Sequence, residues 1–381
     1  VKGISHTVYA TSLFQVLKDH GYFTIHCGKA HFGAYKTPGA NPINLGADIN
    51  IAGSAAGNPA SYLGESDYGN VPGKFKLRAI KGLKQYWHSQ TFLTRALTLE
   101  ATKAMDTARL KHKPFFLYMA HYAVHVPYNA DPRYFEKYRE RGLNKSEAAY
   151  AGLIEGMDAS LGTLMRYLDT HHLTGNTIII FMSDNGGLSH PPRTGKIDTQ
   201  NDPLRNGKVS LYEGGIREPM MVDWPGVTKP GSTTSQYVAI WDFLPTILQM
   251  AGISRYHVVQ KIDGKSFVPI LKDPAYTDTA RALVWHYPNN WGGSDGLPGY
   301  SWSSAIRKGS WKLIYLQKEG KLKLYNLKND IGEQHDLAET YPEKTRQLAR
   351  LLTKKLKGWH AQMPLYKKTG KPVPWPDEAV Q

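Results

Sequence analysis

Thr177-Ile-Ile-Ile-Phe-Met-Ser183-Asp184-Asn185-Gly186-Gly187 is the stretch that decides the fold of this chain. Its β-branched and aromatic run is short for a helix and predicts a strand buried on both faces. Open α/β sheets place their sites at the carboxyl ends of such strands. Asp184 and Asn185 offer hard oxygen ligands there, and the glycines allow close approach to the backbone. The stretch therefore indicates either a metal site or a plain turn, since Asn-Gly and Gly-Gly also form turns.

Composition narrows the class of protein. The 381 residues suffice for one large or two smaller domains, and 41% of them are apolar. No apolar run approaches the roughly 20 residues that a membrane span needs. The one cysteine, Cys27, excludes an internal disulfide framework and does not fix the compartment. No oligomeric state follows from the sequence.

The charge balance points to an anionic partner. The formal net charge is +15, and residues 307–381 hold 16 Lys and Arg against 8 Asp and Glu. Such a surface attracts nucleic acid, anionic lipid or sulfated sugar. No zinc finger or RNP-type aromatic motif accompanies it, so nucleic acid is not the expected partner.

Strands and helices alternate along the first part of the chain. Apolar spacing predicts helices over residues 11–20, 146–172 and 241–251, and strands over residues 22–25, 115–119, 177–182 and 220–224. Residues 34–74 are rich in Gly, Asn, Pro and Ala, which predicts a long irregular excursion. This alternation, up to about residue 275, predicts a mostly parallel sheet covered on both sides.

The pattern changes after that point. Short strands are predicted at residues 282–286, 304–307, 311–315 and 323–325, followed by an amphipathic helix at residues 342–359. They indicate a small antiparallel sheet packed by one helix. The predicted organisation is a main domain over residues 1–280, a C-terminal subdomain over 281–365 and a loosely ordered tail over 366–381.

Reactive side chains follow several predicted strands. Lys29 and His31 lie two residues apart just past a strand, so an extended backbone turns them to the same side. A fixed cation beside an imidazole suits an anionic substrate that needs proton transfer. His125, before a proline turn, is a candidate acid or base, and Lys208 lies on a loop where it can reach an anion.

Other polar residues have structural interpretations. His121, nearer its strand, is predicted to be a hydrogen-bonded core histidine. Arg217 and Glu213 are each predicted to hold their loop through an internal ion pair. Cys27 is predicted to pack within a strand.

The order of the motifs resembles one family. Residues 21–33 read GYFTIHCGKAHFG, where type I sulfatases carry G-Y-x-T-x-x-x-G-K-W-H-x-G, and a strand leads to His125-Val-Pro127, where they carry P-H-x-P. Six further family motifs follow in the same order. They are S-D-N-G at residues 183–186, K-G-x-x-x-E-G-G-I-R-x-P at 208–219, W-P-G at 224–226, D-x-x-P-T-x-x-x-x-A-G-I at 242–253, A-I-R-x-G-x-W-K-L-I at 305–314 and L-Y-N-L-x-x-D at 324–330. The ordered set covers nearly the whole chain and is far more specific than any one motif. The chain therefore resembles a type I sulfatase of the alkaline-phosphatase-like fold, an α/β sandwich with a mostly parallel central sheet.

The resemblance implies a metal and an anion site. By position, Asp184 and Asn185 would be two ligands of a calcium ion. Lys29 and Lys208 would contact sulfate oxygens. A sulfate ester develops negative charge on its sulfonyl and leaving oxygens, and a metal with two lysines addresses that charge.

The resemblance also implies proton transfers and a substrate. His125 would protonate the leaving sugar or aryl oxygen, and His31 would take a proton from the sulfated intermediate so that sulfate is expelled. The basic surface and an aromatic loop with His286 and Trp291 suit a sugar chain. The expected substrate is a sulfate ester on an anionic polysaccharide, and the expected location is periplasmic or secreted.

The resemblance has one large gap. The family's nucleophile is a formylglycine made from Cys or Ser in C/S-x-P-x-R at a helix start, upstream of the Gly28–Gly33 motif, and two aspartates upstream complete the metal site. Neither is found, so residues 1–280 are expected to be a sulfatase catalytic domain without its N-terminal part, inactive as written. Ser189-His-Pro-Pro-Arg193 matches the serine form by letter but lies in the wrong place. Ala30 and Glu218 stand where the family usually has Trp and a small apolar residue.

Two other functions remain open. A relative in the same superfamily could act on phosphate esters or phosphonates, although such enzymes usually bind two transition metals through extra Asp and His ligands. Alternatively, the chain could be a non-catalytic polyanion-binding protein, although it retains the lysines and histidines of a site.

Overall fold

The computed structural model describes residues 10–189, 201–290 and 299–379. Its helices are α1 Leu13–Asp19, α2 Leu93–Leu110, α3 Phe135–Glu140, α4 Lys145–Thr170, α5 Glu213–Ile216, α6 Phe243–Met250, α7 Val268–Lys272 and α8 Pro342–Gly358. Its strands are β1 Phe23–Gly28, β2 Ile49–Ile51, β3 Phe115–Ala120, β4 Ile179–Met182, β5 Met220–Asp223, β6 Ala282–Tyr287, β7 Ser303–Lys308, β8 Trp311–Leu316 and β9 Lys321–Asn326. No helix in these ranges has the length and apolarity that a membrane span requires.

The chain forms two compact units. Unit 1 comprises Val1–Thr177, Pro225–Lys229 and Val238–Lys272, and unit 2 comprises Ile178–Trp224, Pro230–Tyr237 and Asp273–Gln381. The predicted bounds at residues 280 and 365 are not tested by this division and stay a prediction.

Unit 1 is built on a parallel sheet with the strand order β2-β1-β3 in the described residues. All six residues of β1 are buried because the strand lies between two neighbours. The strand predicted at residues 115–119 is present as β3; a strand this apolar is expected to be buried, but β3 lies at an edge of this sheet in the described residues, and Tyr118 is 43% exposed. Cys27 packs as predicted, fully buried, with its thiol donating to Leu97 O at 3.3 Å.

Helices α2 and α4 cover this sheet's core. The Asn144 side chain caps α4 by accepting from Glu147 N at 3.0 Å. The two helices meet where the Thr98 and Ser160 hydroxyls lie 2.6 Å apart, both buried. α2 is not among the predicted helices, because its buried face consists largely of Ala and Thr, which mark an apolar stripe weakly.

Unit 2 contains two antiparallel arrangements. β4 pairs with β5, and the register runs from Ile179↔Asp223 to Met182↔Met220. Every residue of β4 is partly exposed, so the predicted burial on both faces is wrong; among the described residues β4 pairs with β5 alone.

The C-terminal part of unit 2 confirms the predicted antiparallel sheet with one helix. β6, β7, β8 and β9 follow one another in space as in sequence. α8 packs Leu348, Leu352 and Leu356 into their core. The tail is not loosely ordered as predicted: Val373 is 5% exposed, and Pro374 O accepts from the Tyr315 hydroxyl at 2.9 Å. Burial of the apolar Val373 side chain offsets the conformational entropy that the proline-rich segment loses on becoming ordered.

Candidate active site

Lys29 and the loop of His125 lie at the same edge of the unit 1 sheet. Gly28 pairs with Ala120 at the carboxyl ends of β1 and β3, and Lys29 N donates to Ala120 O at 2.7 Å. A Cβ on Gly28 would lie 1.9 Å from Ala120 O, and its φ is +105°, so glycine is required there. The two loops therefore leave the sheet side by side, as the sequence predicts for neighbouring parallel strands.

His31 is held by its backbone on the surface of unit 1. Its φ is 53°, a left-handed value that non-glycine residues rarely adopt, and its amide donates to Ser54 O at 2.9 Å. A Cβ on Gly57 would lie 2.9 Å from His31 Cε1. The imidazole therefore lies against Gly57, where any side chain would displace it.

The His125 loop is anchored to the core. The hydroxyl of Tyr62, a fully buried residue, donates to His125 O at 2.9 Å. Asn58 Nδ2 donates to Val126 O at 3.3 Å. These bonds hold the backbone that carries the candidate acid.

His121 departs from its prediction. Its Nδ1 is buried and has no hydrogen-bond partner among the described residues, so it is not the satisfied core histidine expected. Burial lowers the pKa of His121 to about 4, so the ring is neutral at physiological pH.

In unit 2, the loop of Lys208 is hydrogen-bonded to Gly187, which follows the Asp184–Asn185 turn. Lys208 N donates to Gly187 O at 3.1 Å, and a Cβ on Gly207 would lie 2.3 Å from the same oxygen. The turn is also held internally, because Asn185 Nδ2 donates to Gly186 O at 3.0 Å. The structure thus brings the predicted anion contact next to the predicted metal ligands.

Glu218 belongs to the same end of unit 2. Continuing the β4–β5 register past Met182↔Met220 sets Asp184 opposite Glu218. Glu218 Oε1 is buried without a hydrogen-bond partner in the described ranges. Burial, and then the charge of Asp184, raise the pKa of Glu218 to about 8. In the sequence, Glu218 appears only as a departure from the family pattern. Its proximity to Asp184, which would have marked it as a candidate site residue, depends on the pairing of β4 with β5.

The oxygens at this end of unit 2 fit a calcium ion. Asp184 and Glu218 supply carboxylates and Asn185 supplies an amide, the hard donors that calcium takes. An orphaned carboxylate oxygen beside a second carboxylate is the environment that a divalent cation stabilises. Within the part of the chain described, no cluster of three or more His, Cys, Asp or Glu side chains has metal-binding spacing.

Glu213 has the structural role predicted for it. Its Oε2 accepts from Arg217 Nε at 2.8 Å and from Arg307 Nη1 at 3.1 Å, and its Oε1 accepts from Lys312 Nζ at 2.8 Å. Burial alone would raise its pKa, but the charges of Lys312 and Arg307 outweigh burial and lower the pKa of Glu213 to about 2. Both residues form ion pairs as predicted, and the structure supplies the partners: Arg217, Arg307 and Lys312 all pair with Glu213.

The predicted sugar contacts lie elsewhere in unit 2. The ring nitrogens of His286 lie 2.8 Å from Ser304 Oγ and 2.9 Å from Gln362 O, and burial lowers the pKa of His286. A sugar contact from His286 would have to displace one of these bonds. Trp291 lies outside the described residues, as does most of the Ser189–Arg193 match.

Family models match most of the chain. The model described as "Sulfatase" matches residues 4–253, and that of the N-sulphoglucosamine sulphohydrolase C-terminal region matches residues 206–362. The first range contains Lys29, His31, His125, Asp184, Asn185 and Lys208.

Individual relatives agree with the models. A sulfatase of Formosa agariphila is 30% identical over 413 residues, covering 96% of this chain and 73% of the relative. Human N-acetylgalactosamine-6-sulfatase is 28% identical over 370 residues, covering 88% and 66%. The chain thus spans about two thirds to three quarters of the length of these relatives.

A solved structure shows the same fold. The crystal structure of Ps i-CgsB in complex with k-i-k-neocarrahexaose superimposes with a TM-score of 0.73 at 27% identity, covering 95% of this chain and 77% of that one. This likeness confirms the predicted alkaline-phosphatase-like α/β class. With the match over residues 4–253, it establishes that the chain belongs to the sulfatase family, enzymes that hydrolyse sulfuric esters.

Proposed function

We propose that this protein hydrolyses sulfate esters on an anionic polysaccharide with the assistance of calcium. The observation that carries the proposal is the sulfatase match over residues 4–253, which contains every candidate catalytic residue. The two related proteins named for a sulfated sugar or solved with a carrageenan oligosaccharide support the carbohydrate class. The net charge of +15 suits a polyanionic substrate.

The proposed anion contacts come from both lysine loops. Lys29 and Lys208 neutralise sulfate oxygens, and their backbones are fixed by Ala120 O and Gly187 O. Asp184 and Asn185 would hold a calcium ion, whose chemistry there would be Lewis-acid polarisation of the sulfate group.

The proposed proton transfers belong to the two surface histidines. His125 donates a proton to the leaving oxygen of the sugar, which prevents the release of an unstable alkoxide. His31 accepts the proton whose removal frees sulfate. The nucleophile in this proposal is a formylglycine encoded outside residues 1–381.

The test is sulfate release from a sulfated carrageenan oligosaccharide, with calcium, by protein made with the coding sequence upstream of Val1. We expect turnover, and His125→Ala lowers kcat about 100-fold or more because a general acid is lost. His172→Ala, at an exposed histidine two residues past the end of α4, is the matched control and keeps the wild-type rate. No turnover despite verified formylglycine overturns the proposal.

The same proposal places the protein in the periplasm or outside the cell, where a polysaccharide substrate is met. Fractionation of the source cells tests this location, and recovery in the cytoplasm alone contradicts it.

A further inference from the structure

A cavity of about 300 Å³ lies within unit 2. Its wall includes Tyr237, Arg281, Arg307 and Gly309, with hydroxyl-bearing residues such as Thr234. None of the candidate catalytic or metal-binding residues lines it. The mechanism proposed above therefore gives this Arg307 cavity no role.

The Arg307 guanidinium is incompletely satisfied at the cavity wall. The residue is 4% exposed. Its Nη1 donates to Glu213 Oε2 at 3.1 Å and its Nε to Gly309 O at 3.5 Å. Its Nη2 is buried and has no hydrogen-bond partner among the described residues. Because a guanidinium has five N–H donors in one plane, these two bonds leave three donors of a buried cation, two of them on Nη2.

Stacking limits where an acceptor can approach. The Tyr237 ring covers the guanidinium, with its centroid 3.1 Å from Arg307 Cζ. An acceptor must therefore come in the guanidinium plane, on the side of Nη2. Tyr237, Arg307 and Gly309 all line the cavity, so the cavity offers the space for it.

The surrounding charges favour an anion. The ionic group beside the cavity contains two carboxylates and three cations: Glu213, Glu333, Arg217, Arg307 and Lys312. With both carboxylates ionised, the group carries one net positive charge, in part screened by water because the Arg217 side chain is 36% exposed. At the cavity wall, Asp278 adds one negative and Arg281 one positive charge. A net positive group beside a cavity attracts an anion.

We propose that the Arg307 cavity binds a sulfate group, with Arg307 Nη2 and the Arg281 side chain as its cationic contacts. Planar guanidinium donors match a tetrahedral oxyanion well. The choice of sulfate among oxyanions rests on the proposed function. The group has two possible sources: inorganic sulfate released by hydrolysis, or a sulfate ester on a carbohydrate.

Ligand-dependent thermal unfolding of the full chain tests this site. Sodium sulfate is compared with sodium chloride at equal ionic strength, and glucose 6-sulfate with glucose. We expect saturable stabilisation by sulfate beyond that by chloride. Arg281→Gln weakens the sulfate affinity about tenfold or more, because it removes a charge-assisted contact. Lys308→Gln removes the same charge from an exposed residue outside the cavity and leaves the affinity unchanged.

A second variant protects the test against misfolding. Arg307→Lys keeps the charge and removes the guanidinium fork, and it too weakens sulfate binding. If it does not fold, an anomalous selenate peak beside Arg307 in crystals of the wild-type protein supports the site, and selenate absent from the cavity overturns it.

The outcomes separate the two sources and the two proposals. Equal binding of sulfate and glucose 6-sulfate supports a site for the sulfate group alone, and binding of only glucose 6-sulfate supports a carbohydrate site. No stabilisation by sulfate beyond chloride together with none by glucose 6-sulfate beyond glucose, or equal affinities in Arg281→Gln and Lys308→Gln, overturns the cavity site. Sulfatase turnover without cavity binding would leave the proposed function standing, whereas cavity binding without turnover would overturn only that function.

Discussion

Two glutamates, one beginning α5 and one between α5 and β5, occupy opposite environments. Both Glu213 oxygens accept from cations, and its pKa lies near 2. Glu218 has an orphaned oxygen, and its pKa lies near 8. The two carboxylates are thus only five residues apart, yet Glu213 is a structural anchor with cationic partners, and Glu218 has a buried oxygen without a partner in the described residues. The difference teaches that neighbouring charges in a family motif can have unrelated roles.

The largest expected effect is the loss of the Glu213 anchor. Glu213→Ala leaves Lys312 and Arg307 buried without their shared counter-charge, so we expect the free energy of unfolding to fall by about 3–5 kcal/mol. Urea unfolding measures it, with Glu339→Ala at an exposed glutamate as the control. A loss equal to the control's would make Glu213 no more structural than a surface residue.

The pH dependence of unfolding tests the lowered pKa of Glu213. The folded-state pKa of Glu213, about 2, lies below its ordinary value of 4.5, so the folded protein holds fewer protons there than the unfolded chain. Its contribution, on the order of 3 kcal/mol, is present above pH 4.5 and is lost as pH falls toward 2. Glu213→Gln removes this slope. Parallel acid-unfolding curves for variant and wild type would contradict the lowered pKa.

A smaller effect of opposite sign is expected at Glu218. Glu218→Val removes a buried oxygen without a partner in the described residues, so in calcium-free buffer we expect stability to rise by about 1–3 kcal/mol. Added calcium should reduce this gain, because the cation stabilises the wild-type carboxylate. Thermal unfolding with calcium and with chelator measures both. A destabilised variant in chelator would show that Glu218 is already satisfied.

The smallest expected effect is that of displacing the His31 ring in unit 1. A Cβ at Gly57 would lie 2.9 Å from His31 Cε1, so Gly57→Ala should displace the imidazole. We expect kcat to fall about tenfold while unfolding stability changes little. Gly175→Ala, with nothing within 4 Å, is the matched control. An unchanged kcat would remove the case for a fixed His31 ring.

Local patterns predicted those features that depend on neighbouring residues. The α4 helix and the four C-terminal strands follow from apolar spacing. The loop around Glu213 and Arg217 was expected to hold ion pairs, but their partners came from the structure. β2 was hidden in a stretch rich in Gly and Asn, because three residues give no periodicity.

Features that depend on distant residues were not predictable. Lys312 meets Glu213 across 99 positions of sequence, and the orphaned oxygen of Glu218 depends on the strand register. The tail over residues 366–381 reads as polar and proline-rich, yet Val373 finds an apolar surface that only the folded sheet and α8 provide. The motifs indicated which loops hold the candidate catalytic residues. Which charged groups neutralise one another could be learned only from the folded structure.

The most direct test of the central claim compares sulfate release with phosphate release from matched 4-nitrophenyl esters, by protein made with any coding sequence that precedes Val1. A calcium-dependent preference for the sulfate ester, lost in Lys208→Ala and kept in Lys74→Ala at an exposed lysine, is the predicted result. Faster cleavage of the phosphate ester, or equal rates for the two lysine variants, would contradict it.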